Sequence, residues 1–249
     1  MTGRTTLKEK IQRGCLACGG SGYIGDNLCN CSIKFRVYNR LTRGGFHEAT
    51  LDFISSPSYR LPMFVSGAES VEYFVYNPLE VDEKGLSLYI FSPENGRGKT
   101  TLAHYLAYVL VWTLSKTENY SPNRSYAFEN IHDMCVKERN GWEEDTWKAT
   151  VLVIDDLGTE SRSAAWKKEL NTAMLHRIMH YRLDHRLPTI ITSNNVPSSL
   201  STIYEGVIDS VMEIRPDGVI GGRVFRQVEV GGGEDFRQMD GVSEWPVCR

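Results

Sequence analysis

The sequence predicts an α/β protein in which helices flank a parallel sheet, with a small cysteine-rich module before it. From about residue 86, short apolar strands alternate with helical segments, as in parallel sheets with crossover helices. The strand at 86–91 runs into a glycine-rich turn and a helix, and four of the six cysteines fall between positions 15 and 31. We therefore divide the 249 residues into a module with its linker at 1–60 and an α/β domain at 61–249.

Composition and charge limit the classes of protein to which this chain can belong. No apolar run approaches the roughly 18 residues of a membrane span, and the N-terminus has no apolar signal-peptide core, so we expect a soluble, cytoplasmic protein without a membrane partner. The net charge of −3 argues against a wholesale binder of polyanions. Residues 1–60, however, contain 9 basic and 4 acidic residues. This basic segment either contacts nucleic acid or an acidic partner, or is simply a solvated surface.

The expected elements follow from hydrophobic patterning. Apolar stretches at 150–154 and 188–193 are typical of strands buried on both faces. Residues 44–62 have little periodicity and are predicted to be a connector, and 63–76 are predicted to be a helix. The remaining expected strands are 86–91, 125–128 and 223–230, and the remaining expected helices are 32–43, 99–115, 130–139 and 163–185.

The stretch "SPENGRGKTT" (92–101) predicts a phosphate-binding loop. Amides of such a turn can surround phosphate oxygens, with Lys99 reaching the β- and γ-phosphates and Thr100 ligating Mg²⁺. Pro93 stands where the pattern G-x-x-x-x-G-K-[ST] has its first glycine, which predicts a reshaped entry rather than a lost site. The alternative is a turn with a solvated lysine. The predicted nucleotide-binding residues of the loop are Asn95, Gly96, Arg97, Gly98, Lys99, Thr100 and Thr101.

Two carboxylates end the strand in "VLVIDDLGTE" (151–160). Ligands of open α/β sheets bind at the carboxyl ends of strands, so Asp155 is predicted to hold Mg²⁺ through water and Asp156 to act as general base. Alternation along a strand points the two side chains to opposite faces and gives them different roles. The alternative interpretation is a strand end capped by turn-forming aspartates.

The next strand ends in "TSNN", where a polar side chain could contact the γ-phosphate or the attacking water. Asn194 is the predicted sensor of the γ-phosphate, Thr192 and Asn195 are alternatives, and an ordinary asparagine turn is the structural interpretation. Phosphoryl transfer also uses an arginine on the γ-phosphate, sometimes from a neighbouring subunit. Arg223 is the best candidate and surface charge is the alternative. The other late arginines considered are Arg215, Arg226 and Arg237.

The cysteines follow a C-x₂-C…C-x-C pattern at Cys15, Cys18, Cys29 and Cys31. Clustered cysteines in a cytoplasmic chain favour metal over disulfides, and C-x₂-C is a common zinc spacing. We predict a structural Zn²⁺ site without a catalytic role. The alternatives are an iron–sulfur cluster or four unbound thiols, and His47 is a further, weaker candidate ligand.

Together these motifs resemble the DnaC/DnaI-type AAA+ helicase loaders, especially phage-like members, which are related to IstB-type ATPases. The resemblance covers most of the chain, and its motifs are "CLACGGSGYI…CNC", "RVYNRLTRGGFHEATLDF", "GRGKTTLA", "VLVIDDLGTE", "TIITSNN" and "GGRVF…EDFR". It implies that Arg223 is an arginine finger acting in trans and that Arg237 is a second, nucleotide-contacting sensor. Pro93 and the acidic, glycine-broken C-terminal end depart from the family pattern.

The function implied by this resemblance is that of an oligomeric AAA+ ATPase with low turnover. It would use ATP, Mg²⁺ and Zn²⁺, bind a DnaB-type replicative helicase and place it on single-stranded DNA during replication initiation. The alternatives are an IstB-like transposition helper, a non-hydrolysing adaptor switched by nucleotide, and, less favoured, a small-molecule kinase.

Overall fold

The computed structural model describes residues 11–56, 59–116, 126–131, 133–134, 147–159, 165–215, 217–220 and 223–231, with side chains of 165–171 left aside. Within these ranges a six-stranded sheet has the strand order β3-β8-β4-β7-β6-β5. Its strands are β3 (Phe64–Ser66), β4 (Ser87–Phe91), β5 (Tyr126–Asn130), β6 (Val151–Leu157), β7 (Thr189–Ser193) and β8 (Phe225–Val230).

Five of these strands are parallel, and only β3 pairs antiparallel, with β8 at one edge. Counted along the chain, the five parallel strands lie in the order 5-1-4-3-2. Their carboxyl ends share one edge of the sheet, where β4 and β7 finish side by side with Phe91 opposite Ser193. Their amino ends share the other edge. The two edges are called the carboxyl edge and the amino edge below.

Helices cover both faces of the sheet. On β4, Leu88 and Ile90 enter one apolar core with α5, while Tyr89 and Phe91 enter a second core with α6. This alternation is the reason the strand is buried throughout. The helices are α1 (Asn30–Arg43), α2 (Glu48–Ile54), α3 (Ala68–Tyr76), α4 (Pro78–Lys84), α5 (Lys99–Leu114), α6 (Ala165–Asp184), α7 (Pro197–Ile203) and α8 (Asp209–Met212).

The stretches at 44–62 and 63–76 differ from the expected elements. The connector predicted at 44–62 contains α2, and the helix predicted at 63–76 divides into β3 and α3. Gly67 separates β3 from α3 with φ of +79°, and a Cβ there would lie 2.4 Å from the carbonyl oxygen of Gln227. Only glycine readily accepts both the positive φ and this close approach. Composition alone did not reveal either requirement.

The N-terminal segment begins with a short hairpin of β1 (Tyr23–Ile24) and β2 (Asn27–Leu28). Helix α1 then starts after Cys29, two residues before the predicted start at 32, and the Ser32 hydroxyl donates to the Gly22 carbonyl. Apolar side chains of α1 and α2 share the core around α5. The domain boundary at residue 60 stays a prediction. Across the described residues, no helix combines the length and apolar character needed to cross a bilayer.

Candidate nucleotide site and cysteine cluster

The phosphate-type loop joins β4 to α5 at the carboxyl edge. Gly96 and Gly98 take positive φ, +75° and +83°, which lets the chain turn tightly before α5 begins at Lys99. The loop borders an open pocket at the start of the helix, where unpaired amides and the helix dipole favour an anion. The pocket is lined by Asn95, Gly96, Arg97, Gly98, Lys99, Thr100, Thr101, Asp156 and Asn194.

Lys99 is held across this turn. Its Nζ donates to the carbonyl oxygens of Glu94 (3.0 Å) and Ser92 (3.4 Å), and the residue is only 6% exposed. Burial lowers the pKa of Lys99, while the charges of Asp156 and Asp155 oppose that shift. A buried ammonium that has only carbonyl partners for hydrogen bonds is well suited to pair with an incoming phosphate.

The entry of the turn is built around an ion pair rather than a glycine. Pro93 and Glu94 are exposed, and the Glu94 carboxylate pairs with the Arg97 guanidinium. The amide of Glu94 donates to Ser92 Oγ at 3.3 Å. The loop therefore folds over Lys99 with proline at its entry.

Asp155 connects the loop to the neighbouring strands. Its Oδ1 accepts hydrogen bonds from Thr100 Oγ1 at 2.9 Å and from Thr192 Oγ1 at 2.5 Å, and the residue is buried. Thr100 and Asp155 lie 55 residues apart in sequence and come from different elements. The donor set consists of hard oxygens beside an anion-binding turn, which fits Mg²⁺.

Asp156 reaches the same pocket because β6 is irregular. Ile154 pairs with Ile191 and Leu157 with Ser193, so β6 has one extra residue at this point. Asp156 takes φ of +58°, and its amide donates to Thr192 Oγ1 at 3.1 Å. Strict alternation would have separated the two carboxylates, and the bulge redirects the second one.

Burial is the largest factor that raises the pKa of Asp156. The neighbouring Asp155 raises it further, while the charge of Lys99 works in the opposite direction. A carboxylate with a raised pKa beside a phosphate site is a better proton acceptor than an exposed aspartate.

The three polar candidates at the end of β7 and just after it occupy different places. Asn194 borders the pocket, whereas the Thr192 hydroxyl donates its hydrogen bond to Asp155. Asn195 is turned away, since its Nδ2 contacts Ser193 Oγ at 3.4 Å and packs against Gly158. Tyr89 Oη donates to the Asn195 carbonyl at 2.6 Å and thereby supports this turn. Sequence reasoning missed Tyr89, because it looks like any residue of an apolar strand.

The predicted arginine finger lies outside its own chain's pocket. Arg223 is exposed and precedes β8, whose first residue, Phe225, pairs with Ser87 at the amino edge. Arg223 therefore lies across the sheet from the loop, and a catalytic role would have to be in trans. Arg215 is exposed, Arg226 lies over the Tyr73 ring at 5.1 Å, and Arg237 is outside the described residues.

The four cysteines converge around the β1–β2 hairpin and the start of α1. Their Sγ atoms lie within 4.8 Å of one another, with Cys15 3.6 Å from Cys29 and Cys18 3.4 Å from Cys31. Tetrahedral zinc with bonds of about 2.3 Å would place its sulfurs roughly 3.8 Å apart. The cluster fits a four-thiolate metal site.

Backbone geometry assists the ionisation of one thiol. Burial opposes it, but the Gly22 amide, 3.3 Å from Cys18 Sγ, and the neighbouring thiols together lower the pKa of Cys18 to about 6. His47 does not join the group within the described part of the chain and instead precedes α2.

Comparisons with known proteins establish the fold. No protein-family model and no curated protein sequence matches the chain. The solved structure of the DnaC helicase loader is similar with a TM-score of 0.51 and 20% identity, over 74% of this chain and all of that one. DnaI is similar with a TM-score of 0.47 and 17% identity, over 74% of this chain and 92% of its own.

Domain III of the replication initiation protein DnaA from Thermotoga maritima gives a TM-score of 0.46 and 18% identity, over 70% of this chain and 68% of that one. The chain has an α/β fold like that of the DnaC helicase loader structure, with a mostly parallel sheet flanked by helices as the sequence predicted, and a cysteine cluster lies at its N-terminal end. The predicted likeness to DnaC is confirmed at the level of the fold.

Proposed function

We propose that this chain is an AAA+ ATPase that binds MgATP at the carboxyl edge of its sheet. The hydrogen bond between Thr100 and Asp155 is the observation that carries the proposal, because it brings the loop and the acidic strand end to one place. Lys99, Asp156 and Asn194 border the same pocket. ATP with Mg²⁺ would supply a γ-phosphoryl group that water can attack.

The chain's residues have separate tasks in this mechanism. Amides of 95–101 and Lys99 would bind the phosphates, while Thr100 and Asp155 would hold Mg²⁺. Asp156 accepts the proton of the attacking water, and Asn194 orients that water. Arg223 of a neighbouring copy would stabilise the transferred phosphoryl group, which requires an oligomer. Arg237 as a second sensor belongs to the same proposal.

ATP binding by Lys99→Ala tests the phosphate loop. We expect its affinity for ATP to fall roughly 100-fold, because a charge-assisted contact of about 1.5–3 kcal/mol is removed. Lys84→Ala is the matched control, since Lys84 is exposed and pairs with Glu80. Retained affinity in Lys99→Ala refutes the loop. Binding without turnover in the unaltered protein would favour the non-hydrolysing adaptor.

We further propose that the protein is a loader that places a DnaB-type replicative helicase on single-stranded DNA in the cytoplasm. Support comes from the fold shared with a protein described as the DnaC helicase loader. The cysteine module also exposes three apolar side chains, Leu16 (101% exposed), Tyr23 (54%) and Ile24 (52%). Exposed apolar groups of this kind are typical of protein contacts.

Capture of purified helicases by the full chain tests the loader role. Deleting the N-terminal segment would uncover the core that α1 and α2 share with α5, so point variants are preferable. Leu16→Asp and Ile24→Asp should lose capture, while Leu79→Asp, at an exposed position on α4, should keep it. No capture of any helicase by the unaltered chain would contradict this proposal and leave the ATPase proposal standing.

We also propose that the cysteine cluster holds one structural Zn²⁺. Metal analysis of the purified full chain should find about one zinc per chain, and Cys18→Ser should lose it. Cys135→Ser is the control variant outside the C-x₂-C…C-x-C pattern. An unaltered chain without zinc contradicts the assignment.

A further inference from the structure

A group of aromatic and cationic side chains lies at the amino edge, away from the nucleotide pocket. It combines the segment before β6 with the last turns of α6. We call it the stacking platform and define it as Trp147, Lys148, Arg177, Tyr181 and His185. No role proposed above uses these residues.

The three rings of the platform contact one another in a row. Trp147 meets Tyr181 edge-on, with ring centroids 4.9 Å apart and planes at 63°. Tyr181 stacks on His185 at 3.9 Å with nearly parallel planes. His185 is exposed, so the stack ends in an imidazole ring at the protein surface.

Cations surround these rings. Lys148 Nζ lies 5.7 Å from the Trp147 centroid and 6.0 Å from that of Tyr181, and the Arg177 guanidinium lies 5.4 Å from Trp147. Both cationic residues are exposed, as is Arg186 just beyond His185, while Asp184 is the exposed carboxylate of this turn. Among the exposed charged side chains described at this turn, the cationic ones outnumber the acidic ones by three to one.

A buried arginine fixes the two halves of the platform together. Arg182 is 1% exposed, and its guanidinium donates to the carbonyls of Trp147 (2.8 Å), Ala149 (2.7 Å) and Pro188 (2.6 Å). Its Nε donates to Thr189 Oγ1 at 2.7 Å. Burial lowers the pKa of Arg182 to about 9, so the side chain stays charged at neutral pH. A buried cation in which every guanidinium nitrogen donates a hydrogen bond makes this edge a fixed support for the exposed rings.

We infer that the stacking platform binds single-stranded nucleic acid, with an unpaired base stacking on His185 and the cations contacting phosphates. Stacked aromatic rings beside Lys and Arg are the elements by which proteins hold single strands without reading sequence. The bases of a duplex already have their faces covered, so this geometry favours single strands over duplex. The inference deepens the proposed function by giving the single-stranded DNA contact a surface.

Anisotropy of a labelled oligo(dT), titrated with the full chain without nucleotide, tests the inference. Omitting ATP separates its outcome from that of the ATPase proposal. His185→Ala and Tyr181→Ala should each weaken binding roughly ten-fold, since one stacked base is lost. Tyr181→Phe, which keeps the ring, should bind like the unaltered chain, and His185→Tyr should bind at least as well.

Controls separate stacking from general charge. Tyr76→Ala removes a tyrosine 62% exposed on α3 and should not change affinity. Lys148→Gln and Arg177→Gln should reduce the salt dependence of binding, while Lys84→Gln should not. Oligo(U) measured in parallel distinguishes RNA from DNA as the source of the single strand, and all variants should keep their affinity for ATP.

Several results would overturn the inference. One is oligo(dT) affinity that is unchanged in both His185→Ala and Tyr181→Ala. Another is a duplex that binds as tightly as the single strand. A third is polyglutamate that competes fully while binding is insensitive to His185→Ala, which would identify an acidic protein as the partner. Absence of binding by the unaltered chain also overturns it.

Discussion

The two edges of the sheet are built on opposite principles. At the carboxyl edge, a glycine-rich turn, Asp156 and the buried Lys99 line an open pocket, and the buried Asp155 accepts a hydrogen bond from Thr100 beside it. At the amino edge, every guanidinium nitrogen of the buried Arg182 donates to the protein itself, and this residue supports exposed rings. One edge keeps a charge available for a ligand, while the other uses a charge to hold a surface in place.

This difference determines what sequence can reveal. Short sequence motifs predict the site at the carboxyl edge, because the loop residues 95–101 are contiguous and the two acids directly follow an apolar strand segment. The amino edge has no motif, because Arg182 and the carbonyl of Trp147 are 35 residues apart. Nothing in the composition near Trp147 or Tyr181 distinguishes a stacking surface from ordinary aromatic content.

Loss of the proposed base at the carboxyl edge should have the largest effect. Asp156→Asn should lower the ATP turnover rate by about 100- to 10,000-fold, the contribution of a general base, while ATP affinity is kept. In the unaltered protein, turnover should fall as pH decreases. The fall should begin at a pH above the usual aspartate range, because the pKa of Asp156 is raised. Steady-state turnover and equilibrium ATP binding measure the two quantities. Unchanged turnover would remove Asp156 from the mechanism.

Loss of the buried Arg182 at the amino edge should have the next largest effect, and this effect should be on stability. Arg182→Leu leaves three carbonyls and a hydroxyl without their donor, which should lower the free energy of unfolding by roughly 3 kcal/mol. Urea denaturation measures this value, with Arg226→Leu as a control at a half-buried position on β8. At temperatures where Arg182→Leu is folded, ATP affinity should persist. An equal loss of ATP affinity would show that the edges are not independent.

The smallest expected effect is on stability, and it tests whether the ionised Asp156 carboxylate destabilises the folded protein. The pKa of Asp156 is raised in the folded protein because its ionised form is disfavoured there. Stability is therefore lost as pH rises from the usual aspartate pKa through the raised folded-state pKa. Asp156→Asn should therefore be slightly more stable than the unaltered chain at neutral pH. Asparagine also accepts the positive φ at this position. Thermal unfolding at neutral and acid pH measures the difference, which should vanish below the usual aspartate range. A variant that is less stable at neutral pH would contradict this account.

Local constraints explain where the sequence predictions fell short elsewhere. The strands at 86–91, 150–154 and 188–193 were predictable because continuous apolar runs require burial on both faces. The division at Gly67 depended on a contact with Gln227, far along the chain. The bulge at Asp156 depended on pairing with β7, so alternation within one strand could not predict it.

The central claim is that the glycine-rich turn and the acid of β6 hold one magnesium–triphosphate together. The most direct measurement is ATP affinity as a function of Mg²⁺ concentration for the unaltered chain and for Asp155→Asn, with exposed Asp184→Asn as control. We expect Mg²⁺ to tighten ATP binding in the unaltered chain and the control but not in Asp155→Asn, while affinities in EDTA stay equal. The same Mg²⁺ dependence in Asp155→Asn would contradict the account.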